Sequence, residues 1–181
     1  MQDIAREARV NPALLHYYFR SKERLAAAVF YRAAGDLMPA AIRILASDRP
    51  LDEKVRAVVE LELDHLSRSP FLPAYLISEM AHHPERMRTL VSSMTGMMPE
   101  QAGRQVLATL TRQIDSGVAA GTLRPIAADQ FVVNLISLCI FPFAARPMLM
   151  ALLGADEAGF AGFIEHRRRE LPHFFLGALR P

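Results

Sequence analysis

The sequence predicts an all-α fold. Along most of the chain, apolar residues recur at the three- and four-residue spacing of amphipathic helices, and the alternating pattern of strands is missing. Glycine is sparse, at nine of 181 residues, which also favours long helices over turn-rich sheets. With 51% of its residues hydrophobic, the chain can build a sizeable core.

The first 32 residues are predicted to form a compact unit of short helices. Residues 2 to 8 place Ile4, Ala5 and Ala8 at helical spacing between charged residues. Asn11 followed by Pro12 restarts the helix, because Asn is a preferred N-cap and Pro loses no hydrogen bond at the first helical position. A second helix over 12–19 and a third beginning at Ser21 follow, so the pattern is helix, turn, helix.

The second of these helices carries an unusual outer face. Leu15 and Phe19 are four residues apart and are expected to point inward with Val10, whereas Ala13, His16 and Tyr17 share the opposite side. Compact, flat polar side chains of this kind suit a DNA groove. Residues 1 to 32 also hold six cationic and three acidic side chains, a local excess of +3 beside +2 for the whole chain, which would attract phosphates.

The segment IAREARVNPALLHYYFRSKERL, from Ile4 to Leu25, resembles the helix-turn-helix signature of the tetracycline-repressor (TetR) family of bacterial one-component transcription regulators. The resemblance implies that the helix over 12–19 enters the major groove. It also implies that Arg9 occupies a turn position usually held by glycine, and that His16 and Tyr18 stand where the family often has Tyr and His. The residues expected at the DNA are Gln2, Asn11, Pro12, Ala13, Leu14, His16, Tyr17, Tyr18 and Lys22.

Family members carry one further helix before this unit, and Met1 stands only three residues ahead of Ile4. The DNA-binding unit is therefore expected to be N-terminally truncated. Two explanations stay open: the true start lies upstream of Met1, or the product is truncated and binds DNA poorly.

Residues 33–181 are predicted to form a helical domain for effector binding and dimerisation. After the helix over 12–19, the expected helices are 21–46, 52–68, 73–82, 85–94, 99–120, 127–153 and 156–179. The helix over 127–153 is apolar around most of its surface and is interrupted by prolines, which predicts a buried, kinked helix.

The last two helices also predict a homodimer, because a 20.2 kDa chain has difficulty covering both of them. The resemblance implies the same pairing, and a two-fold dimer would read an inverted repeat in double-stranded DNA with half-sites roughly 34–36 Å apart. The interface is expected to include Phe131, Leu135, Leu138, Phe160, Phe163 and Phe174.

Flexible thioethers and aromatic rings cluster in the middle of the chain, which suits either a cavity for small apolar effectors or ordinary core filling. The resemblance implies an effector cavity within the middle helices. The expected lining residues are Phe71, Tyr75, Met80, Met87, Met94, Met98, Phe141 and Phe143.

No catalytic motif, cofactor motif or complete metal-binding motif occurs in the sequence; Glu79, His82 and His83 form only a fragment of one. The single Cys139 lies in an apolar run and is expected to be a small core residue. No signal peptide or membrane span is predicted, so a cytoplasmic location is expected. The sequence thus predicts a ligand-responsive regulator, most often a repressor in this family. The alternative is a ligand-binding or protein-interacting dimer without DNA-binding activity.

Overall fold

The fold is described from a computed structural model, which covers residues 1–35, 37–82 and 84–181. Within these ranges, the side chains left outside the description are those of Phe30, Ala33, Ala34, Glu79, residues 84–87 and Leu90. Every regular element in the described ranges is helical. The chain divides into two compact units, Met1–Gly35 and Asp36–Pro181.

The first unit consists of three helices, α1 (Gln2–Glu7), α2 (Pro12–Phe19) and α3 (Lys22–Ala34). Asn11 caps α2, since its side-chain oxygen accepts a hydrogen bond from the Ala13 amide at 2.9 Å. Ser21 caps α3 by accepting from the Arg24 amide at 3.2 Å. These caps satisfy amides that have no partner within a helix, which is why the helices begin where the sequence predicts.

The second unit holds the remaining helices. They are α4 (Leu37–Ala46), α5 (Leu51–Arg68), α6 (Leu72–His82), α7 (Pro84–Thr95), α8 (Pro99–Ala119), α9 (Ala128–Ala144), α10 (Arg146–Leu153) and α11 (Glu157–Gly177).

One of the expected long helices is divided into two. The helix predicted over 21–46 corresponds to α3 and α4, and Asp36 between them lies outside the described residues. The helix predicted over 127–153 breaks at Ala145, with a 73° bend between α9 and α10. Pro147 lies at the start of α10 and has no N–H to donate to the preceding turn. This proline therefore favours a bend at this position.

Helix α5 is the centre of the second unit and packs against α4, α9 and α11. Its inward side combines a run of valines and leucines with two charged residues. Its buried residues are Lys54, Val55, Val58, Val59, Glu62, Leu63 and Leu66.

The buried Lys54 connects three elements. Its Nζ donates to the carbonyl oxygen of Leu45, near the end of α4, and to Oε1 of Gln113 on α8, both at 2.7 Å. The side-chain Nε2 of Gln113 in turn donates to the backbone carbonyl of Arg49 at 2.8 Å. Burial lowers the pKa of Lys54, with smaller and opposing contributions from Asp48, which raises it, and Arg112, which lowers it. The hydrogen bonds offset the cost of burying this amine and hold the α4–α5 turn on α8.

A proline inside α9 leaves a backbone carbonyl without its helical donor, and α11 supplies a donor in its place. Pro142 has no N–H, so the carbonyl of Leu138, four residues earlier, lacks its helical donor. Arg167 of α11 supplies two donors instead, from Nε at 3.1 Å and from Nη2 at 2.8 Å. The contact fixes α11 along α9 at this level.

A membrane span cannot be built from any one helix in the described ranges. Only the bent pair α9 and α10 reaches the required length and apolar composition together.

The α5 core also contains a carboxyl oxygen that lacks a hydrogen-bond partner among the described residues. Glu62 is only 4% exposed, and its Oε2 accepts no hydrogen bond from any described residue. Burial raises its pKa from 4.5 to about 7. Because the folded-state pKa lies above the unfolded one, the stabilising contribution of the neutral acid is complete below about pH 4.5. It is lost as the pH rises through about 7.

We therefore expect Glu62→Gln to raise the free energy of unfolding near pH 8 by up to about 3 kcal/mol, and to leave it nearly unchanged near pH 4. Urea unfolding of both proteins across this range measures the effect. The matched control is Glu53→Gln, an exposed position on the same helix, which should show no such pH dependence. A pH-independent gain in the Glu62 variant would contradict the assignment.

Candidate functional site

The candidate DNA-contacting residues of the helix-turn-helix segment lie on the surface of the first unit. All nine residues expected at the DNA are exposed: Gln2, Asn11, Pro12, Ala13, Leu14, His16, Tyr17, Tyr18 and Lys22. Leu15 and Phe19 are partly buried, as the helical spacing predicts. The side chains of α2 thus divide into an inner and an outer face.

The tyrosines dominate the outer surface of α2. Tyr17 is 76% exposed and Tyr18 is 72% exposed, and their rings meet edge to face with centroids 5.2 Å apart. Each phenol offers one donor and one acceptor, and the rings are stiff, so little side-chain entropy is lost when they enter a groove.

The turn before α2 has an unusual backbone. Arg9 adopts a φ of 54°, in the left-handed region that favours glycine, and Arg20 after α2 has a φ of 61°. The amide of Val10 donates across the turn to the Ala5 carbonyl at 2.9 Å. The expectation that Arg9 occupies a glycine-type position is consistent with this geometry.

Few side chains of the first unit are buried. Ala5 and Leu25 are its buried hydrophobic residues among the described side chains. Val10 is exposed, whereas the helical spacing places it on the inner side, and Ile4 is also exposed. The two short helices and α3 are too few to enclose these side chains.

Among the expected effector residues whose side chains are described, the aromatic ones differ in exposure and in their neighbours. Phe143 is buried and packs on Phe160, with ring centroids 6.1 Å apart. Phe141, two residues earlier, points the other way and lines a hollow between α9 and α11. Phe71 is exposed and lies 5.4 Å from the Arg146 guanidinium, which also contacts Phe160 at 5.1 Å.

The methionines expected at the cavity are spread over α6 to α8. Met80 and Met98 are exposed, as is Tyr75, and Met94 is partly buried. The side chain of Met87 lies outside the described residues, as do those of Glu79 and His83 from the metal-motif fragment. Within the described ranges, no group of three metal-binding side chains occurs.

Three of the expected interface residues need correction. Phe131, Leu135 and Phe160 are buried within a single chain, so they have no surface left for a second copy. Phe131 packs on Phe175 with ring centroids 5.2 Å apart. Leu138 and Phe163 are partly buried.

The exposed apolar surface of the last long helices includes one expected interface residue, Phe174, and two residues of α9 that were not expected there. Phe174 is 66% exposed on α11, and Phe141 is 55% exposed and Val133 56% exposed on α9. Val133 was not predicted at the interface, and Phe141 was predicted at the effector cavity. In a helix that is apolar all round, periodicity does not reveal which side is free.

The prediction that Cys139 is a core residue is confirmed, since it is free and fully buried. Burial raises the pKa of its thiol to about 12, and Glu62 adds to the rise while Arg167 opposes it. The thiol therefore stays protonated and unreactive at neutral pH.

A capped, outward-facing second helix ahead of a larger helical unit defines a helix-turn-helix protein. Comparison with known proteins agrees. Residues 1–29 match the family described as bacterial regulatory proteins, tetR family, and residues 52–169 match the tetracyclin repressor-like C-terminal domain. The chain belongs to the TetR family.

One curated relative is the HTH-type transcriptional regulator BetI of Rhizobium meliloti (strain 1021). It is 27% identical over 129 residues, which cover 71% of this chain. The aligned part spans 57% of the relative's own length.

The backbone of Arg9 leads to a prediction. Replacing Arg9 with glycine should stabilise the first unit by up to about 1 kcal/mol, because glycine adopts a positive φ without the clash that a Cβ creates. Hydrogen exchange of the amides in α1 and α2 measures this stability. The control is Arg6→Gly, where the backbone is helical and glycine should cost about 1 kcal/mol. Faster exchange in the Arg9 variant would refute the strain.

Proposed function

We propose that the protein is a dimeric one-component transcription regulator, acting as a repressor in the cytoplasm. It binds an inverted repeat in double-stranded DNA through α2 and is released by a small apolar ligand held among the middle helices. The observation that carries the proposal is the joint exposure of the nine candidate DNA-contacting residues around a capped α2.

The roles of individual residues follow from the resemblance to the family and from their exposure. Pro12, Ala13 and Tyr17 meet base edges or the groove wall, whereas His16, Tyr18 and Lys22 reach phosphates. Contacts of the first kind discriminate between sequences, and contacts of the second kind supply affinity that falls with salt.

Ligand response requires different affinities for two states. A ligand that binds better when the two α2 helices are farther apart lowers DNA affinity. The loss of binding free energy for DNA equals the loss that bound DNA causes for the ligand. The exposed and partly buried Tyr75, Met80 and Met94 supply adaptable apolar surface for such a ligand.

The second candidate function is a ligand-binding or protein-interacting dimer without DNA-binding activity. The observation that favours it is the exposure of Ile4 and Val10, since the described part of the first unit buries few side chains around α2. The two candidate functions are distinguished by measuring DNA binding for this chain and for a variant of it extended by an amphipathic helix ahead of α1.

DNA binding is tested on duplexes enriched from a random library, with fluorescence anisotropy from about 50 to about 300 mM salt. We expect affinity to fall steeply with salt. Tyr17→Ala should weaken the enriched duplex by about tenfold, since a good base contact contributes about 1–3 kcal/mol. Lys22→Gln should reduce the salt slope by about 1.

Arg169→Gln, an exposed arginine on α11, is the control for charge and should change neither quantity. Absence of binding at every salt concentration, by the chain and by its extended version alike, would reject the regulator in favour of the second candidate.

Dimerisation is proposed to use the exposed faces of α9 and α11. Phe174→Glu should weaken association by about tenfold or more, because it places a charge where an aromatic anchor would be desolvated. Sedimentation equilibrium gives the dissociation constant. Leu152→Glu on α10 is the matched control, since Leu152 is still more exposed at 76% but lies off this face. Equal effects of the two substitutions would place the contact elsewhere.

A further inference from the structure

Arginines stand beside both ends of α2 on backbone that favours glycine. In the ranges that the structure describes, Arg9 and Arg20 are the only non-glycine residues with a positive φ, at 54° and 61°. A side chain at such a position is disfavoured because its Cβ crowds the backbone, so each arginine is held at a local energetic cost. Backbone strain of this kind is concentrated at functional sites.

The backbone at Arg20 is the more unusual of the two. Its φ of 61° and ψ of −34° accompany a hydrogen bond from the Ser21 amide to the Phe19 carbonyl at 2.7 Å. This is a γ-turn with a positive φ, which is a rare and strained geometry. In the chain, the turn lies between Tyr18 and Lys22, two of the residues proposed to reach phosphates.

Both guanidinium groups are available to a partner from outside the chain. Arg9 and Arg20 are exposed, and neither forms an ion pair or a side-chain hydrogen bond with any residue that the structure describes. Arg6 differs from them, because it donates to the Asp3 carboxylate at 2.8 Å.

The position of the two arginines along the chain indicates which partner they meet. A recognition helix contacts base edges with its N-terminal residues, and Pro12 and Ala13 are proposed for that role here. Arg9 lies three residues ahead of Pro12, and Arg20 follows the other end of α2. A helix of eight residues is about 12 Å long, close to the roughly 12 Å width of the major groove. Long side chains just beyond its ends therefore reach the phosphates that border the groove.

We propose that Arg9 and Arg20 are phosphate anchors at the two ends of α2, each donating to one backbone phosphate of the operator duplex. The proposal rests on the proposed function and adds two residues to the nine considered above. A guanidinium binds phosphate through two parallel N–H donors and stays charged at neutral pH. Each anchor therefore supplies affinity that depends on salt and not on base sequence.

Arg9→Gly is the most informative variant, since it removes the strain and the charge together. Fluorescence anisotropy on the enriched duplex, from about 50 to about 300 mM salt, compares the variant with the parent chain. We expect binding about fivefold weaker at low salt and a salt slope reduced by about 1. Hydrogen exchange should show that the first unit of the same variant is more stable. A purely structural role would change affinity and stability in the same direction.

The other variants separate charge from backbone. Arg20→Gly should act like Arg9→Gly, and the double variant should reduce the slope by about 2. Arg9→Gln keeps the strain and loses the charge, so it should lose the same slope, whereas Arg9→Lys should retain it. Arg32→Gln, an exposed arginine in the last turn of α3, is the matched control in the same unit and should leave the slope unchanged.

Two results would overturn the anchors and leave the regulator standing. In the first, Arg9→Gly and Arg20→Gly bind with the parent's affinity and slope, while Lys22→Gln reduces the slope as expected. In the second, Arg32→Gln reduces the slope as much as Arg9→Gln, which assigns the effect to net charge alone. If neither the chain nor its extended version binds any duplex, the proposed function is rejected and the anchors are rejected with it.

Discussion

The burial of α5 on three sides is the constraint on which the second unit depends. A helix enclosed by α4, α9 and α11 should carry only apolar residues, yet this one encloses an amine and a carboxyl group. Lys54 is accommodated because α4 and α8 provide oxygen atoms at hydrogen-bond distance. Glu62 has no such partner for Oε2, so its neutral form is favoured. Polar groups in this core therefore hold neighbouring helices together through hydrogen bonds and make the stability of the core depend on pH.

Most helix boundaries could be predicted from the sequence because caps and prolines act locally. Asn11 and Ser21 begin helices where their side chains accept backbone hydrogen bonds, as predicted. The division at Ala145 was missed for a physical reason. Pro147 is compatible both with a kinked helix and with the first turn of a new one, and only packing decides between these outcomes.

The candidate sites differ in how far the sequence predicts them. Along α2 the spacing of Leu15 and Phe19, four residues apart, predicts the side that is partly buried, so the exposed side could be predicted too. Along α9 nearly every residue is apolar, and Phe131 and Leu135 were therefore assigned to an interface although they fill the core. The hollow between α9 and α11 is lined by residues more than forty positions apart, among them Arg124 and Arg167, and no local pattern connects them.

The pairing of Arg167 with the Leu138 carbonyl links the identities of two distant positions. If position 142 held a residue with an amide hydrogen, that amide could donate to the Leu138 carbonyl within α9. The Arg167 guanidinium would then not be needed as its donor. Related chains that lose this proline are thus free to drop the arginine, whereas those that keep it need some donor from the last long helix. Evolutionary change at either position is consequently constrained by the other.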